Sequence, residues 1–263
     1  MRVAVTTPLR PSAEEEAAAR EAAGRSGLDF APRGNRALAR TAAQAGVEAL
    51  LVLSLARSVL WVDGSEHAWS AGMGALRAKR ALARAGGRLD ERSTRDPFLE
   101  AAGILPGEAV LDATLGLGAD ALVAAAAVGP AGRVVGIEAS PALAAWVAEG
   151  LRRLDLEPAR RVEVRAGDHE AILASLPHRS FDAVVFDPMF RHARAEPGGF
   201  DVLRRLADPR PLSREVLERA RRVARRAVVV KDGAPGWDLA RLGLTPLASA
   251  RGAHRYYARI DAG

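Results

Sequence analysis

From Asp96 onward the chain alternates short, Val-rich apolar runs with Ala- and Leu-rich stretches, and that alternation limits the fold more than any other feature. Runs at residues 109–113, 133–137, 162–166, 183–186 and 227–230 read as strands, most followed by roughly 8–15 residues of helical pattern. Strands that are apolar throughout are buried on both faces, and intervening helices supply the cover. Two more strands are expected at 246–249 and 255–259. The expectation is an α/β fold, with a seven-stranded, mostly parallel, doubly wound sheet. In such sheets ligands bind beyond the carboxyl ends of the strands, near the switch in strand order. The strand ends are therefore where chemistry is to be sought.

The first 90 residues follow a different pattern and are expected to form a small α/β domain. A strand at 3–6 precedes Ser12-Ala13-Glu14-Glu15, a capping box opening an Ala-rich helix that stops at Gly24. A second helix at 36–45 ends at Gly46. Strands at 50–55 and 58–62 are closed by the turn Asp63-Gly64. A helix at 75–85 carries Arg77, Lys79, Arg80 and Arg84 and stops at Gly86. The sequence Gly86-Gly87-Arg88-Leu89-Asp90-Glu91 reads as a linker, which divides the chain into domains 1–90 and 91–263.

Cysteine is absent, which excludes disulfides, Cys-ligated zinc, iron–sulfur clusters and thiol nucleophiles. His67, His169, His178, His192 and His254 never fall at the spacing of a local zinc pair, so no metal site is expected. The longest apolar stretches, 49–53 and 121–128, fall far short of the ~18–20 residues that cross a bilayer. The start lacks a basic segment followed by an apolar one. A soluble cytoplasmic protein without a membrane partner is expected. Lys and Arg total 38 against 32 acids, and every base except Lys79 and Lys231 is Arg. GC-rich coding is the plainer reading of that excess, since Ala and Gly are abundant too. Its distribution says more: eleven arginines against five acids lie between Arg191 and Arg226. Arg binds phosphate bidentately and stacks on bases, so this segment is the expected nucleic-acid contact. An amphipathic helix with a solvated Arg face is the plainer reading over 214–226. Trp61, His67 and Trp69 either stack on bases or pack between the two domains, and packing is the commoner fate.

The first strand of the alternating region runs into Asp112-Ala113-Thr114-Leu115-Gly116-Leu117-Gly118-Ala119-Asp120. Glycines let backbone approach a ligand, and the helix that follows offers free N–H groups. Ala121 takes the place of the third glycine of the dinucleotide pattern. The second strand ends in Glu138, 20 residues after Gly118, where an acid can accept both ribose hydroxyls of NAD or S-adenosylmethionine. A solvated strand-end glutamate is the alternative. The third strand ends in Gly167-Asp168, whose carboxylate either accepts from an adenine amino group or caps the next helix.

Phe186-Asp187-Pro188-Met189-Phe190 closes the fourth strand and is the sharpest signal. An exocyclic base amine is a poor nucleophile, because its lone pair is delocalised into the ring. The Asp187 carboxylate and the Pro188 carbonyl can bind its two N–H groups, turn the lone pair outward and stabilise developing positive charge. Phe190 can stack on the base, a contact worth ~1–3 kcal/mol. The plainer reading is an Asp-Pro turn followed by a core Phe.

Asp112-x-x-x-Gly116-x-Gly118 resembles the first motif of class I S-adenosylmethionine-dependent methyltransferases, and Asp187-Pro188-Met189-Phe190 resembles the (Asn/Asp)-Pro-Pro-(Tyr/Phe) motif of amino-directed nucleic-acid methyltransferases. More narrowly, residues 71–260 resemble the RsmJ-type family, which methylates guanine N2 in small-subunit ribosomal RNA. The shared features are the Asp112–Asp120 run, Asp-Pro-Met-Phe, the strand Val228-Val229-Val230-Lys231 and the terminal Gly252-Ala253-His254-Arg255-Tyr256-Tyr257. Departures are Ala119 and Ala139 where that family has Arg, Gly167-Asp168 for a Ser-Ser pair, Arg191 for Pro, and the inserted Ala253. The resemblance implies that Asp112, Thr114, Gly116, Gly118, Asp120, Glu138, Ala139, Gly167, Asp168 and Asp187 surround S-adenosylmethionine. It also implies that Asp187, Pro188 and Phe190 act on the target base, and that ribosomal RNA or the small subunit is the partner. A paired base would first be flipped out. Methylation of DNA or of a small-molecule amine, and a cofactor-binding module without catalysis, are the alternatives.

Overall fold

A computed structural model describes residues 1–86, 96–188, 200–247 and 255–263. The chain opens with β1 (Val3–Thr6), α1 (Ala13–Ser26), β2 (Asp29–Phe30), α2 (Leu38–Ala45), β3 (Ala49–Leu53), β4 (Ser58–Val62), β5 (Ser65–Ala68) and α3 (Met73–Ala85). Its strands form one sheet in the order β2-β1-β3-β4-β5. The capping box is formed: the Ser12 hydroxyl accepts from the Glu15 N–H, and the Glu15 carboxylate accepts from the Ser12 N–H. The helix continues through Gly24, because the left-handed residue that stops it is Gly27 (φ 67°). Asp63-Gly64 does not end the sheet. With φ of 50° and 80° these two residues make the turn whose twist suits a hairpin, and they lead into β5. That strand, Ser-Glu-His-Ala, is an exposed sheet edge and so carries no apolar alternation to be read.

The second part comprises α4 (Pro97–Ala102), β6 (Ala109–Asp112), α5 (Ala119–Val128), β7 (Arg133–Glu138), α6 (Pro141–Arg153), β8 (Val162–Ala166), α7 (His169–Ser175), β9 (Phe181–Phe186), α8 (Phe200–Leu206), α9 (Arg214–Val223), β10 (Ala224–Gly233), α10 (Trp237–Leu242) and β11 (Arg255–Asp261). The sheet runs β11-β10-β9-β6-β7-β8, parallel except for β11. This is the Rossmann-like α/β architecture. Six strands are formed among the described residues. At the seventh expected position Pro246 and Leu247 are not in strand geometry, and Ala248 and Ser249 lie outside the described residues. Pro246 has no N–H for a ladder. Leu247 still donates its N–H to the Tyr257 carbonyl (2.7 Å), on β11. From β6 the chain steps outward to β7 and β8, then returns to place β9 on the other side of β6. Strand order therefore reverses between β6 and β9, and a crevice opens at their carboxyl ends.

The two sheets share packing. One apolar cluster runs from Val5 and Leu51 through Ala78 to Leu122, Val147 and Val185. Trp69 packs against Gly150 of α6, where an added Cβ would come within 2.0 Å of the indole. This is the expected packing between the two parts; Trp61 instead packs within the first part, beside the cluster around Leu50. Gly74 of α3 abuts Ala119 of α5, with only 2.7 Å between a would-be Cβ and the Ala119 Cα. Arg25 and Arg153 meet at the buried Glu149, and Arg153 also donates to the Ser54 carbonyl (2.9 Å). Residues 87–95, which include all of the expected linker except Gly86, lie outside the described residues. Among those described, no helix is long and apolar enough to cross a membrane.

Candidate active site

The loop after β6 is stitched to both neighbouring strands. Ala113 donates its N–H to the Val185 carbonyl (2.9 Å), and Leu115 donates to that of Ile137 (2.8 Å). Within the loop the Asp112 carboxylate accepts from the Thr114 N–H (3.1 Å), and the Thr114 hydroxyl accepts from the Asp187 N–H (2.6 Å). Gly116 donates its N–H to Glu138 (3.1 Å), whose other oxygen accepts from Ser140 (2.9 Å). The two glycines do different work. A Cβ on Gly116 (φ 52°) would meet nothing within 4 Å, so its face is open to a ligand. One on Gly118 (φ 79°) would press within 3.2 Å of Val147, so that glycine lets α5 approach α6.

Thr114, Gly116, Glu138, Ala139, Asp187 and Pro188 line one cleft together with His169, and Leu203, Ala207, Asp208 and Arg210 complete it from α8 and the chain beyond. Asp168 is not among the residues that line this cleft, and its carboxylate is engaged elsewhere. One oxygen caps α7 by accepting from Glu170 (2.8 Å) and Ala171 (3.1 Å), and the other pairs with Arg210. Gly167 donates its N–H to the Glu138 carbonyl (2.9 Å). Met189, Phe190 and the chain through residue 199 lie outside the described residues, as do Gly252, Ala253 and His254.

Behind the cleft is a small buried cavity, and Asp187 belongs to the wall of both. Its carboxylate is held by Lys231 of β10 (2.5 Å). Lys231 also binds Asp120 of α5 (2.8 Å), and Asp120 binds Arg77 of α3 (2.5 Å). Arg77 in turn makes a two-pronged pair with Asp96 (2.7 and 2.9 Å), the cap of α4. Asp120 is thus spent on two cations and is absent from the cleft lining.

Burial shapes the titration of these groups. It pushes Asp112 up to about 8, with Asp120 and Asp187 adding to the rise against the opposing Thr114 N–H and Lys231. Burial likewise lifts Glu138 to about 6 against the N–H groups of Ser140 and Gly116. Burial alone would lower Lys231, but Asp187 and Asp120 outweigh it and hold the ammonium charged. Burial would raise Asp120, yet Lys231 and Arg77 prevail and keep it ionised. Asp187 is raised, by burial first, with Lys231 pulling against that rise.

Sequence reading missed the charge chain. Lys231 had a visible signal: a lysine closing three valines of a central strand is buried, and a buried ammonium needs carboxylate partners. Arg77 had none, since its partners lie 19 and 43 residues away. The basic stretch also looks different in space. Arg205 pairs with Asp63, Arg210 with Asp208 and Asp168, Arg219 with Glu170, Arg221 with Glu218, Arg225 with Asp182 and Arg226 with Glu108. Arg222 donates to the Leu173 carbonyl (2.6 Å). Much of that charge is met within the chain.

A parallel sheet whose glycine loop and acid-tipped strands meet at the switch in strand order defines a nucleotide-binding α/β protein. A family model described as "Putative SAM-dependent methyltransferase" matches residues 77–251. The chain belongs to this family of S-adenosylmethionine-dependent methyltransferases, and S-adenosylmethionine is its cofactor. It is 34% identical over 235 residues to the uncharacterized protein YpiP of Bacillus subtilis, covering 87% of this chain and 88% of that one. It is 39% identical over 151 residues to ribosomal RNA small subunit methyltransferase J of Halorhodospira halophila, over 52% of this chain and 55% of that protein. The same-named protein of Alteromonas mediterranea is 34% identical over 105 residues, 38% of this chain and 40% of that one. The chain thus spans about half the length of these two relatives. A solved S-adenosylmethionine-dependent methyltransferase of Neisseria gonorrhoeae shares the fold, with a TM-score of 0.62 at 21% identity over 98% of this chain and 95% of that one.

The residues present suit that cofactor. Gly116 leaves room at the loop, and Glu138 closes β7 as a buried acid. Asp112, buried and pushed up to about 8, would gain from a cationic ligand that stabilises its ionised form.

Proposed function

We propose that this methyltransferase acts on an exocyclic amine of a nucleic-acid base, guanine N2 of small-subunit ribosomal RNA, as a cytoplasmic enzyme. The observation that carries the reading is Asp187: its backbone N–H is fixed by Thr114, and its carboxylate is tied by Lys231 at the wall of the cleft. The bound cofactor supplies a methyl group on a cationic sulfur. Asp187 accepts one N–H of the target amine through the oxygen not held by Lys231. The Pro188 carbonyl would accept the other, which turns the nitrogen lone pair out of conjugation with the ring. Transfer would break the sulfur–methyl bond, its electron pair staying on sulfur as a neutral thioether, and Asp187 would take the proton that the methylated nitrogen sheds. Glu138 serves the ribose hydroxyls, Asp112 the amino-acid end of the cofactor through its charge, and Phe190 stacks on the base. The resemblance of Asp-Pro-Met-Phe and the names of the relatives support the RNA target.

The test is methyl transfer from isotopically labelled S-adenosylmethionine to naked ribosomal RNA and to small subunits from a strain lacking the gene. Digestion to nucleosides should yield labelled N2-methylguanosine. Asp187→Asn should still bind the cofactor, read by thermal shift, and lose at least about 100-fold in rate, the scale of a lost transition-state hydrogen bond. Label found only in DNA or in a small amine would move the substrate class. Cofactor binding with no acceptor at any salt concentration would retire the catalytic reading.

A further inference from the structure

We infer that the outer face of α3 is a docking surface for the phosphate backbone of the RNA substrate, an assignment that rests on the RNA reading above. Three observations carry it. The first is composition: from Met73 to Gly86 the chain holds Arg77, Lys79, Arg80 and Arg84 and no acid. The second is the way the helix turns. Gly74 and Ala78 are buried against α5, which sends Met73, Leu76, Lys79, Arg80 and Arg84 to solvent. Met73 is 63% exposed and Leu76 42%, so an apolar strip borders the cations. Lys79, Arg80 and Arg84 have no acidic partner among the described residues, whereas Arg205, Arg219, Arg225 and Arg226 each have one. A free basic row is complementary to phosphate, and a flanking apolar strip can lie under sugar and base faces.

The third observation is location. Gly74 abuts Ala119, the first residue of α5, so α3 begins at the carboxyl edge of the second sheet, where the cleft opens. Arg77, one turn further on, is joined through Asp120 and Lys231 to Asp187. Arg255 adds an exposed cation at the same rim. It pairs in register with Gly233, two residues beyond the Lys231–Tyr257 pair, and so lies on the same sheet face as those side chains. RNA seated on α3 would thus lie beside Asp187 on a surface rigidly tied to it.

The experiment uses the full chain and a fluorescein-labelled transcript of small-subunit ribosomal RNA, with binding read by anisotropy across a salt series. In the triple variant Lys79→Gln/Arg80→Gln/Arg84→Gln we expect affinity to fall at least about tenfold at 0.1 M salt. The slope of log affinity against log salt should shrink by about two, from three lost contacts to single-stranded phosphate at ~0.7 each. Cofactor binding, read by thermal shift, should be unchanged, which excludes misfolding. The control Arg219→Gln/Arg225→Gln should bind RNA nearly as the parent does. If the parent binds and methylates RNA while the triple variant keeps its affinity and slope, the docking assignment falls and the proposed function stands. If the parent binds and methylates no RNA, both fall. Binding of poly-glutamate as tightly as RNA, lost in the triple variant, would replace the RNA assignment with an acidic protein partner.

Discussion

Asp112 illustrates how a single residue ties stability to ligand binding. Its carboxyl ordinarily ionises near 3.8 and in the fold holds its proton up to about 8. Between those values the native state carries the extra proton, so stability is present below the lower value and is lost as pH rises through the window. Asp112→Asn should therefore flatten the fall of the thermal midpoint from pH 5 to pH 8 and raise the midpoint at pH 8. A cationic cofactor favours the ionised carboxylate, so cofactor affinity should rise with pH up to about 8 in the parent and lose that rise in Asp112→Asn. Calorimetric titrations in buffers of different ionisation enthalpy would report the released proton. Lys231 works the other way. Removing one partner of a buried pair strands the remaining charge, so Lys231→Met should destabilise the fold by about 3 kcal/mol in denaturant titration, with Lys231→Arg retaining most of it.

At the scale of elements, close helix approach is bought by small residues. Gly74 on α3 and Gly118 before α5 let neighbouring backbones meet, and Gly150 on α6 makes a seat for Trp69. In an exposed helix, Gly→Ala stabilises by up to about 1 kcal/mol. At Gly74 the sign should reverse, because the new methyl would sit 2.7 Å from the Ala119 backbone, and overpacking of this kind costs about 1–3 kcal/mol. A lower thermal midpoint for Gly74→Ala, with slower methyl transfer as α3 and Arg77 shift, is the expected outcome. The elements themselves were largely readable. The Ser12 capping box and the Val-rich strands announce themselves, because local hydrogen bonds and two-sided burial leave marks within a few residues. The edge strand β5 and the short helix α4 were not, since neither carries an apolar period.

At the scale of the molecule, we propose that the division at residue 90 separates two units of chain organisation that are not independently stable. The apolar cluster joining the two sheets, the Trp69–Gly150 contact and the Arg25–Glu149–Arg153 group would all be opened by separating them. We expect a single unfolding transition by calorimetry, with calorimetric and van't Hoff enthalpies equal. A fragment from residue 96 to the end should be poorly soluble, because it exposes the faces of α5 and α6 that α3 and Trp69 cover. Two separate transitions would show that the units are stable apart.

The sequence alone determined what depends on neighbours along the chain: the βαβ order, the glycine loop after Asp112, the acid at Glu138 and the Asp-Pro turn at 187. Each is a short pattern imposed by burial, turn geometry or backbone approach. Tertiary structure decided which of those groups meet. It drew Asp120 from the cleft into a pair with Arg77 and Lys231, made Asp168 a helix cap bound to Arg210, and matched most of the described arginines of the 191–226 stretch with acids or carbonyls from other elements. Among the described residues it gave Lys79, Arg80 and Arg84 no acidic partner. Ion pairs form between residues tens of positions apart, and periodicity carries no record of such distances, so charge in this chain is countable from sequence but assignable only from the fold.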